Sequence, residues 1–129
     1  MKTRHISFEQ ITLSPGFWQK RQEINAHQTI PAVYDRFAES GRFEALRLNW
    51  KPGKPKPHIF WDSDTAKWIE AAAYVIHKTG DTRLTELVDG LVEDLAACQE
   101  PCGYLNSWFQ QFEPDQRFTR RTDHELYCA

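Results

Sequence analysis

The sequence lacks the charge surplus, the long apolar runs and the paired cysteines that define several large classes of protein. Its formal net charge is −2, so it has no basic surplus of the kind that binds nucleic acid. No apolar run approaches the roughly 18 residues of a membrane helix, and the opening MKTRHISFEQ lacks the apolar stretch of a secretory signal. Three cysteines at irregular spacing form no disulfide framework. We therefore expect a cytoplasmic protein with free thiols, no membrane span and no nucleic-acid partner.

The length and aromatic content of the sequence are sufficient for one packed domain, and its residue pattern predicts a mainly helical fold. The 129 residues have about the length of one domain, and aromatic residues make up 13% of them. Residues 6–13 nearly alternate between apolar and polar side chains, which predicts one short N-terminal β-strand. Ser14 followed by Pro15 then predicts the start of a helix. Pro31 interrupts that helix or begins the next one, which stops at Gly41.

The centre of the chain predicts a helical hairpin. Apolar side chains recur at helical spacing both before and after the sequence TGD at residues 79–81. Gly80 is suited to end the first helix, and Asp81 is suited to cap the second. The apolar positions expected on the inner faces are Ala66, Ile69, Ala72, Ala73, Ile76, Leu84, Leu87, Val88, Leu91, Val92 and Leu95. Two helices joined by so short a turn are antiparallel.

Two loops flank the hairpin. Residues 49–59 contain three prolines and are therefore expected to be extended. Such a loop is long for a compact domain, and long loops are often functional. On the other side of the hairpin, PCGYLNSWF predicts a turn that exposes Tyr104, Asn106 and Trp108.

The last residues, RTDHELYCA, predict the start of a further helix. Thr122 and Glu125 have the spacing of a capping box. The helix has room for only about six residues before the sequence ends, which is short for an isolated helix and indicates a longer parent chain. His124 and Cys128 would share a helix face and could both bind zinc, but the sequence offers no convincing third ligand. A helix start with no metal is the simpler interpretation.

Asp62 and Asp64 stand beside Trp61 and Trp68 and admit two interpretations. Carboxylates next to aromatic rings suit a sugar site, where rings cover C–H surfaces and carboxylates accept from hydroxyls. Helix capping explains at least one of the two aspartates without further assumptions, and we favour it. Trp68 lies within the predicted helix, where a core position is expected.

Three ordered motifs resemble a known family. The segments IFWDSDTAKWIEAAAYVIHKTGD, QEPCGYLNSWF and DHELYCA closely resemble the N-terminal part of glycoside hydrolase family 127, the β-L-arabinofuranosidase-like proteins. The opening SPGFWQKRQEINAHQTIPAVYDRF fits the first helices of the same family. The resemblance implies that residues 1–129 form a partial N-terminal segment of an (α/α)6 barrel, in which helical hairpins surround a sugar pocket. The expected fold is thus mainly α, with helical hairpins forming part of that barrel and one short strand before them.

The resemblance also implies which residues meet the sugar. In such proteins the histidine of the HELY-type segment hydrogen-bonds the arabinofuranose, so His124 is the first candidate for substrate binding. Loops between hairpins line the pocket, which adds Asp62, Asp64, Tyr104 and Trp108 as candidate contacts. The family's zinc, held by three cysteines and a glutamate, its nucleophilic cysteine and its acid/base glutamate all lie beyond Ala129. No catalytic residue, metal ligand or cofactor is therefore assigned within this chain, and zinc is implied only for a full-length family member.

Three functions are compatible with this sequence. The first is a segment of a glycosidase that binds arabinofuranosides and is inactive alone, because the family's catalytic pair is absent. Its uncovered helical faces would favour self-association. The second is a non-catalytic helical module for carbohydrate binding or protein interaction, and the third is a small metalloprotein that uses His124 and Cys128. Two departures from the family leave the sugar open. Residues 49–59 contain no clear match to a family glutamine that contacts sugar, and Cys102 stands where an aspartate is common.

Overall fold

The computed structural model describes residues 3–128, except for the side chain of Cys128, and all regular structure in that range is helical. The helices are α1 (Phe17–Ile24), α2 (Ile30–Glu39), α3 (Arg42–Leu46), α4 (Trp61–Thr79), α5 (Thr82–Cys98), α6 (Ser107–Phe112) and α7 (Glu125–Cys128). Short 3-10 turns cover Phe8–Gln10, Pro114–Gln116 and Arg121–Asp123. No helix in this part of the chain has the length and apolar character that a membrane span requires. The expectation of a mainly α protein is confirmed.

The predicted N-terminal strand is wrong. The middle of residues 6–13 forms a 3-10 turn, and the Phe8 ring packs edge-on against Tyr74 of α4 at 5.0 Å between centroids. The Lys78 ammonium donates to the carbonyl oxygens of Phe8 and Ile11, each at 2.9 Å. A strand needs a neighbouring strand to take its backbone hydrogen bonds. Here Lys78 of α4 donates hydrogen bonds to two of the backbone carbonyl groups instead.

The helix caps were predicted correctly at the hairpin and wrongly at the first helix. Asp81 accepts a hydrogen bond from the Leu84 N–H at 2.9 Å, and Gly80 has the left-handed φ of 68° that ends α4. Ser14 does not cap α1, which begins at Phe17 after Gly16 with no side-chain cap. Residues 79–81 reverse the chain between α4 and α5, so the predicted antiparallel hairpin is confirmed.

Pro31 neither breaks the helix nor starts an independent one. The chain passes from α1 to α2 through one π-helical turn at Asn25–Thr29, in which the Ile30 N–H donates to the carbonyl of Asn25. Proline has no N–H, and its ring crowds the carbonyl four residues earlier. A widened turn relieves that crowding, so the helix continues with Pro31 in the first turn of α2.

The core lies where α2, α3, α4 and α5 meet. Its buried apolar side chains are Ile30, Phe43, Leu46, Trp68, Ala72, Leu84 and Leu91. The Trp68 indole N–H donates to the Ile30 carbonyl at 3.0 Å, so the one polar atom of this buried ring is satisfied. The core position predicted for Trp68 is confirmed, whereas Ala66, Ala73 and Val92 are exposed and do not belong to the inner faces.

Candidate functional site

The first turn of α4 carries two aspartates, and neither caps the helix. Helix α4 begins at Trp61, one residue before Asp62, so both carboxylates lie inside the first turn. Asp62 is 6% exposed, and its two oxygens accept from the backbone N–H and the hydroxyl of Ser107 at 2.6 and 2.5 Å. Ser107 is the first residue of α6, so Asp62 satisfies an N–H at the start of a different helix. The capping prediction for Asp62 or Asp64 is therefore wrong.

Burial determines what Asp62 can do. Removal from water raises the pKa of this carboxyl above its usual value, and the two hydrogen bonds from Ser107 oppose the shift without cancelling it. Both oxygens of Asp62 are occupied by Ser107. Asp62 therefore joins the start of α4 to the start of α6.

Asp64 stays at the surface of the same turn. It accepts from the Arg42 guanidinium at 3.0 Å, and its side chain remains 33% exposed. The guanidinium also lies over the rings of Trp61, at 5.1 Å, and Phe37, at 4.8 Å from the centroids. Such a cation–π stack orients the arginine. One carboxylate oxygen of Asp64 is thus held in place, while the group as a whole still reaches solvent.

The structure brings His124 next to Asp64. Both line a surface cleft of about 430 Å³, whose walls are Phe60, Ser63, Asp64, Lys67, His124 and Tyr127. The exposed His124 ring lies edge-on to Phe60, at 5.8 Å between centroids. His124 also borders a neighbouring cleft of about 330 Å³, next to Phe118. Two of the five residues predicted to meet the sugar therefore share one cleft, although 60 positions separate them in the sequence.

A buried carboxylate fixes the backbone under His124. Glu125 is 4% exposed, and it accepts from the Tyr104 hydroxyl and from the Phe118 N–H, the latter at 2.5 Å. Because this carboxylate faces Tyr104, it does not close a capping box with Thr122, and that prediction is wrong. His124 itself has left-handed backbone angles, φ 50° and ψ 37°, which are uncommon for residues other than glycine, although histidine adopts them more often than most. Strained backbone of this kind persists where neighbouring contacts hold it.

Tyr104 lies behind the cleft and does not line it. Its ring carries the Arg117 guanidinium at 4.1 Å from the centroid, and Arg117 makes two hydrogen bonds to Glu100, at 2.9 and 2.6 Å. Burial, together with the hydrogen bond to Glu125, raises the pKa of Tyr104 far above its usual value of 10.0. The phenol therefore remains protonated and donates to Glu125 throughout the physiological range.

The sequence GYLNSWF forms more structure than the exposed turn that was predicted. Asn106 is fully buried and caps α6, with its side chain accepting from the Phe109 N–H at 3.1 Å. Trp108 is half-buried against Phe112, at 4.9 Å between centroids, and does not line the His124 cleft. An asparagine three residues before a Phe-Gln-Gln-Phe run is a typical helix start. That signal could have identified α6.

The groups around the cleft suit a polyhydroxy ligand better than a metal. An imidazole, a carboxylate and a hydroxyl offer both donors and acceptors, and Phe60 and Tyr127 offer ring surfaces. Within residues 3–128 no three His, Cys, Asp or Glu side chains gather as a metal site would require. His124 precedes α7 in a left-handed conformation and lies outside that helix, and the predicted pairing of His124 with Cys128 involves a side chain outside the described residues. The described residues therefore do not fit zinc.

The fold and the position of the cleft indicate the structural class of the protein, and the comparison with known proteins then gives its family. All regular structure between residues 3 and 128 is helical, and the cleft forms where loops lead into α4 and α7, so the chain is an all-helical protein with its candidate site at the helix starts. The model of the β-L-arabinofuranosidase catalytic domain of glycoside hydrolase family 127 matches residues 10–129. The chain belongs to this family.

Two relatives give the scale of the match. A non-reducing end β-L-arabinofuranosidase of Bifidobacterium longum subsp. longum is 26% identical over 78% of this chain and 18% of its own length. The crystal structure of a family 127 β-L-arabinofuranosidase from Geobacillus stearothermophilus T6 aligns with 91% of this chain and 20% of its own, at 32% identity and a TM-score of 0.82. The chain spans about a fifth of the length of these relatives.

Proposed function

We propose that this chain supplies the arabinofuranoside-binding part of a family 127 catalytic domain, and that it binds the sugar without hydrolysing it. The observation that carries the proposal is the cleft shared by His124 and Asp64. The His124 imidazole is exposed, stands against an aromatic ring and is the counterpart of the sugar-binding histidine that the family resemblance implies.

Four residues of the cleft have a direct role in this proposal. The His124 ring nitrogens exchange hydrogen bonds with ring hydroxyls of the arabinofuranose, and Asp64 accepts from a neighbouring hydroxyl. Phe60 and Tyr127 cover the C–H surface of the sugar. Asp62 and Tyr104, which the sequence predicted as contacts, act indirectly by fixing the starts of α4 and α7. A sugar contact by Trp108 stays a prediction.

We expect no turnover because the carboxylates near the cleft already accept hydrogen bonds from other protein groups. Hydrolysis requires two groups placed on opposite sides of the anomeric carbon. Among the described residues, both oxygens of Asp62 accept from Ser107, one oxygen of Asp64 accepts from Arg42, and Glu125 accepts from Tyr104 and Phe118. The zinc implied for full-length family members finds no fitting ligand set between residues 3 and 127, and no step of the proposal passes through it.

Titration calorimetry with methyl β-L-arabinofuranoside tests the proposal. We expect saturable binding by the chain, a loss of about tenfold or more in affinity for His124→Ala, and no change for His5→Ala, which replaces an exposed histidine outside the cleft. A chromogenic β-L-arabinofuranoside should release no chromophore. Turnover by the pure chain, or equal binding by His124→Ala and the parent protein, would contradict the proposal.

A further inference from the structure

Arg42 stands behind the wall of the His124 cleft and does not line it. It is the first residue of α3, directly after Gly41, whose left-handed φ of 82° turns the chain from α2 into α3. The Nε of Arg42 donates to one oxygen of Asp64 at 3.0 Å, and another guanidinium nitrogen donates to the Ser40 hydroxyl at 2.7 Å. Arg42 can therefore affect a sugar in the cleft only through Asp64.

The Arg42 guanidinium contacts groups from both α2 and α4. Its central carbon lies 4.8 Å from the ring centroid of Phe37, in α2, and 5.1 Å from that of Trp61, in α4. Ser40, at the end of α2, accepts one of its hydrogen bonds. A planar guanidinium stacked in this way loses little freedom when it binds a carboxylate. A lysine ammonium, which is a point charge on a flexible stem, has no flat face to stack.

The contacts of Arg42 exceed what the packing of α3 against α4 requires. Helix α3 is already anchored by Phe43 and Leu46, which are 4% and 1% exposed in the core. The ion pair between Arg42 and Asp64 is partly exposed, with 24% and 33% of the two side chains accessible, and pairs of this kind add little stability. The arrangement is therefore better explained by its effect on Asp64.

The arginine leaves one oxygen of Asp64 available to a ligand. Oδ2 accepts from Arg42, whereas Oδ1 accepts no hydrogen bond from the part of the chain that the structure describes. An unsupported aspartate near a helix start can rotate and compete for nearby backbone N–H groups. Because Asp64 lines the cleft, fixing one oxygen sets the position of the other before a ligand arrives. The ligand then does not have to order this side chain.

We propose that Arg42 is a positioning residue of the sugar site, which holds Asp64 in the orientation in which its second oxygen accepts from a hydroxyl of the arabinofuranose. The proposal rests on the function proposed above and adds a residue that sets affinity without touching the ligand. Phe37, Ser40 and Trp61 support the arginine, so the corner between α2 and α3 belongs to the framework of the site. Ordering one mobile side chain on binding lowers affinity about threefold to tenfold.

Titration calorimetry with methyl β-L-arabinofuranoside on a double-mutant cycle tests this role. Arg42→Gln should lower the affinity of the parent protein about threefold to tenfold. Asp64→Ala should itself lower affinity about tenfold or more, and in that background Arg42→Gln should cause no further loss. Arg36→Gln, which removes an exposed ion pair with Glu39 on α2, is the matched control and should leave the affinity unchanged.

Arg42→Lys separates the geometry of the guanidinium from its charge. Lysine keeps a positive charge beside Asp64 but lacks the planar fork, so this variant should bind the sugar as weakly as Arg42→Gln does. Circular dichroism checks that each variant is folded, and Arg42→Lys carries the test if Arg42→Gln is not. Affinity equal to that of the parent in a folded Arg42→Lys protein would overturn the positioning role.

The outcomes keep the two proposals apart. If the parent protein does not bind the monosaccharide, the function proposed for the His124 cleft is wrong, and the role of Arg42 is wrong with it. If the parent binds and Arg42→Gln binds equally well, only the role of Arg42 is wrong. An equal loss from Arg42→Gln in the parent and in the Asp64→Ala background would mean that Arg42 acts on the fold as a whole, which also overturns the positioning role.

Discussion

The α4–α5 hairpin and the segment from Tyr104 to Glu125 are built in different ways. The hairpin is held by apolar side chains that repeat at helical spacing. Its second helix is also capped locally, because the Asp81 side chain accepts a hydrogen bond from the Leu84 N–H three residues later. The later segment is held by buried polar groups whose partners are far along the chain. Asp62 reaches Ser107, 45 residues away, and Glu125 reaches Tyr104, 21 residues away.

This difference affects both stability and function. Apolar packing tolerates small shifts, whereas a buried carboxylate loses most of its stabilisation when one partner is removed. The candidate sugar site uses the second kind of construction, since His124 sits on backbone that Glu125 fixes. The site therefore depends on a few polar contacts, while the hairpin beneath it depends on many apolar ones.

Trp68→Ala should have the largest effect on the hairpin side. Trp68 is 4% exposed in the centre of the core, and the alanine variant loses its packing and its hydrogen bond to Ile30. We expect the free energy of unfolding to fall by about 3–5 kcal/mol, the usual cost of truncating a buried aromatic residue. Urea unfolding measures it. A loss under about 1 kcal/mol, the range of surface substitutions, would contradict the core assignment.

Asp62→Ala should cause the next largest loss of stability. Asp64→Ala, two residues away, is the matched control. Removing Asp62 leaves the Ser107 N–H and hydroxyl buried without an acceptor, at a cost of about 3 kcal/mol. Asp64→Ala removes a partly exposed ion pair with Arg42 and should cost less than about 1 kcal/mol. Equal losses in urea unfolding would mean that burial does not separate the two aspartates.

Tyr104→Phe should have a smaller effect on stability and a distinct effect on the site. The variant keeps the ring under Arg117 but removes the hydroxyl that donates to Glu125, which should cost about 1.5 kcal/mol. Because Glu125 then holds the backbone less firmly, sugar affinity should fall with it. Urea unfolding measures the loss of stability, and titration calorimetry measures the loss of affinity. Unchanged stability would contradict the role given to the Tyr104 hydroxyl, and lost stability with unchanged affinity would separate Tyr104 from His124.

The contribution of Asp62 to the pH dependence of the free energy of unfolding should be the smallest effect. Burial raises the pKa of Asp62 in the folded state above its usual 3.8, so the folded protein holds this proton more tightly than the unfolded chain does. The contribution to stability is full below the unfolded pKa and is lost as pH rises towards the folded pKa. As pH rises above 3.8, the stability of the parent protein relative to Asp62→Asn should therefore decrease, as urea unfolding at a series of pH values would show. A relative stability that increases with pH would contradict the raised pKa of Asp62.

The hairpin was predictable from sequence because its signals are local. Helical spacing, Gly80 and Asp81 all act within a few residues of each other, and the structure confirms them. The partners of Asp62 and Glu125 were not predictable, because a carboxylate near a helix start looks the same whether it caps that helix or another one. The predicted strand failed for a related reason, since alternation over residues 6–13 says nothing about whether a partner strand exists.

The candidate site was predictable only in part. The family resemblance pointed to His124, and the aromatic surroundings pointed to Asp64, but only the fold places the two in one cleft. Asp62 and Tyr104 carry the same residue types that a sugar contact uses, but their side chains are hydrogen-bonded within the protein, to Ser107 and Glu125, and a direct sugar contact by either stays a prediction.

The most direct test of the account follows the histidines by NMR during titration with methyl β-L-arabinofuranoside. The chain has five histidines, which serve as internal controls for one another. We predict saturable shifts of the His124 imidazole signals, with the signals of the exposed His5 and His27 unchanged. Shifts at all histidines alike, or none at His124 at saturating sugar, would contradict the claim that this cleft binds the arabinofuranose.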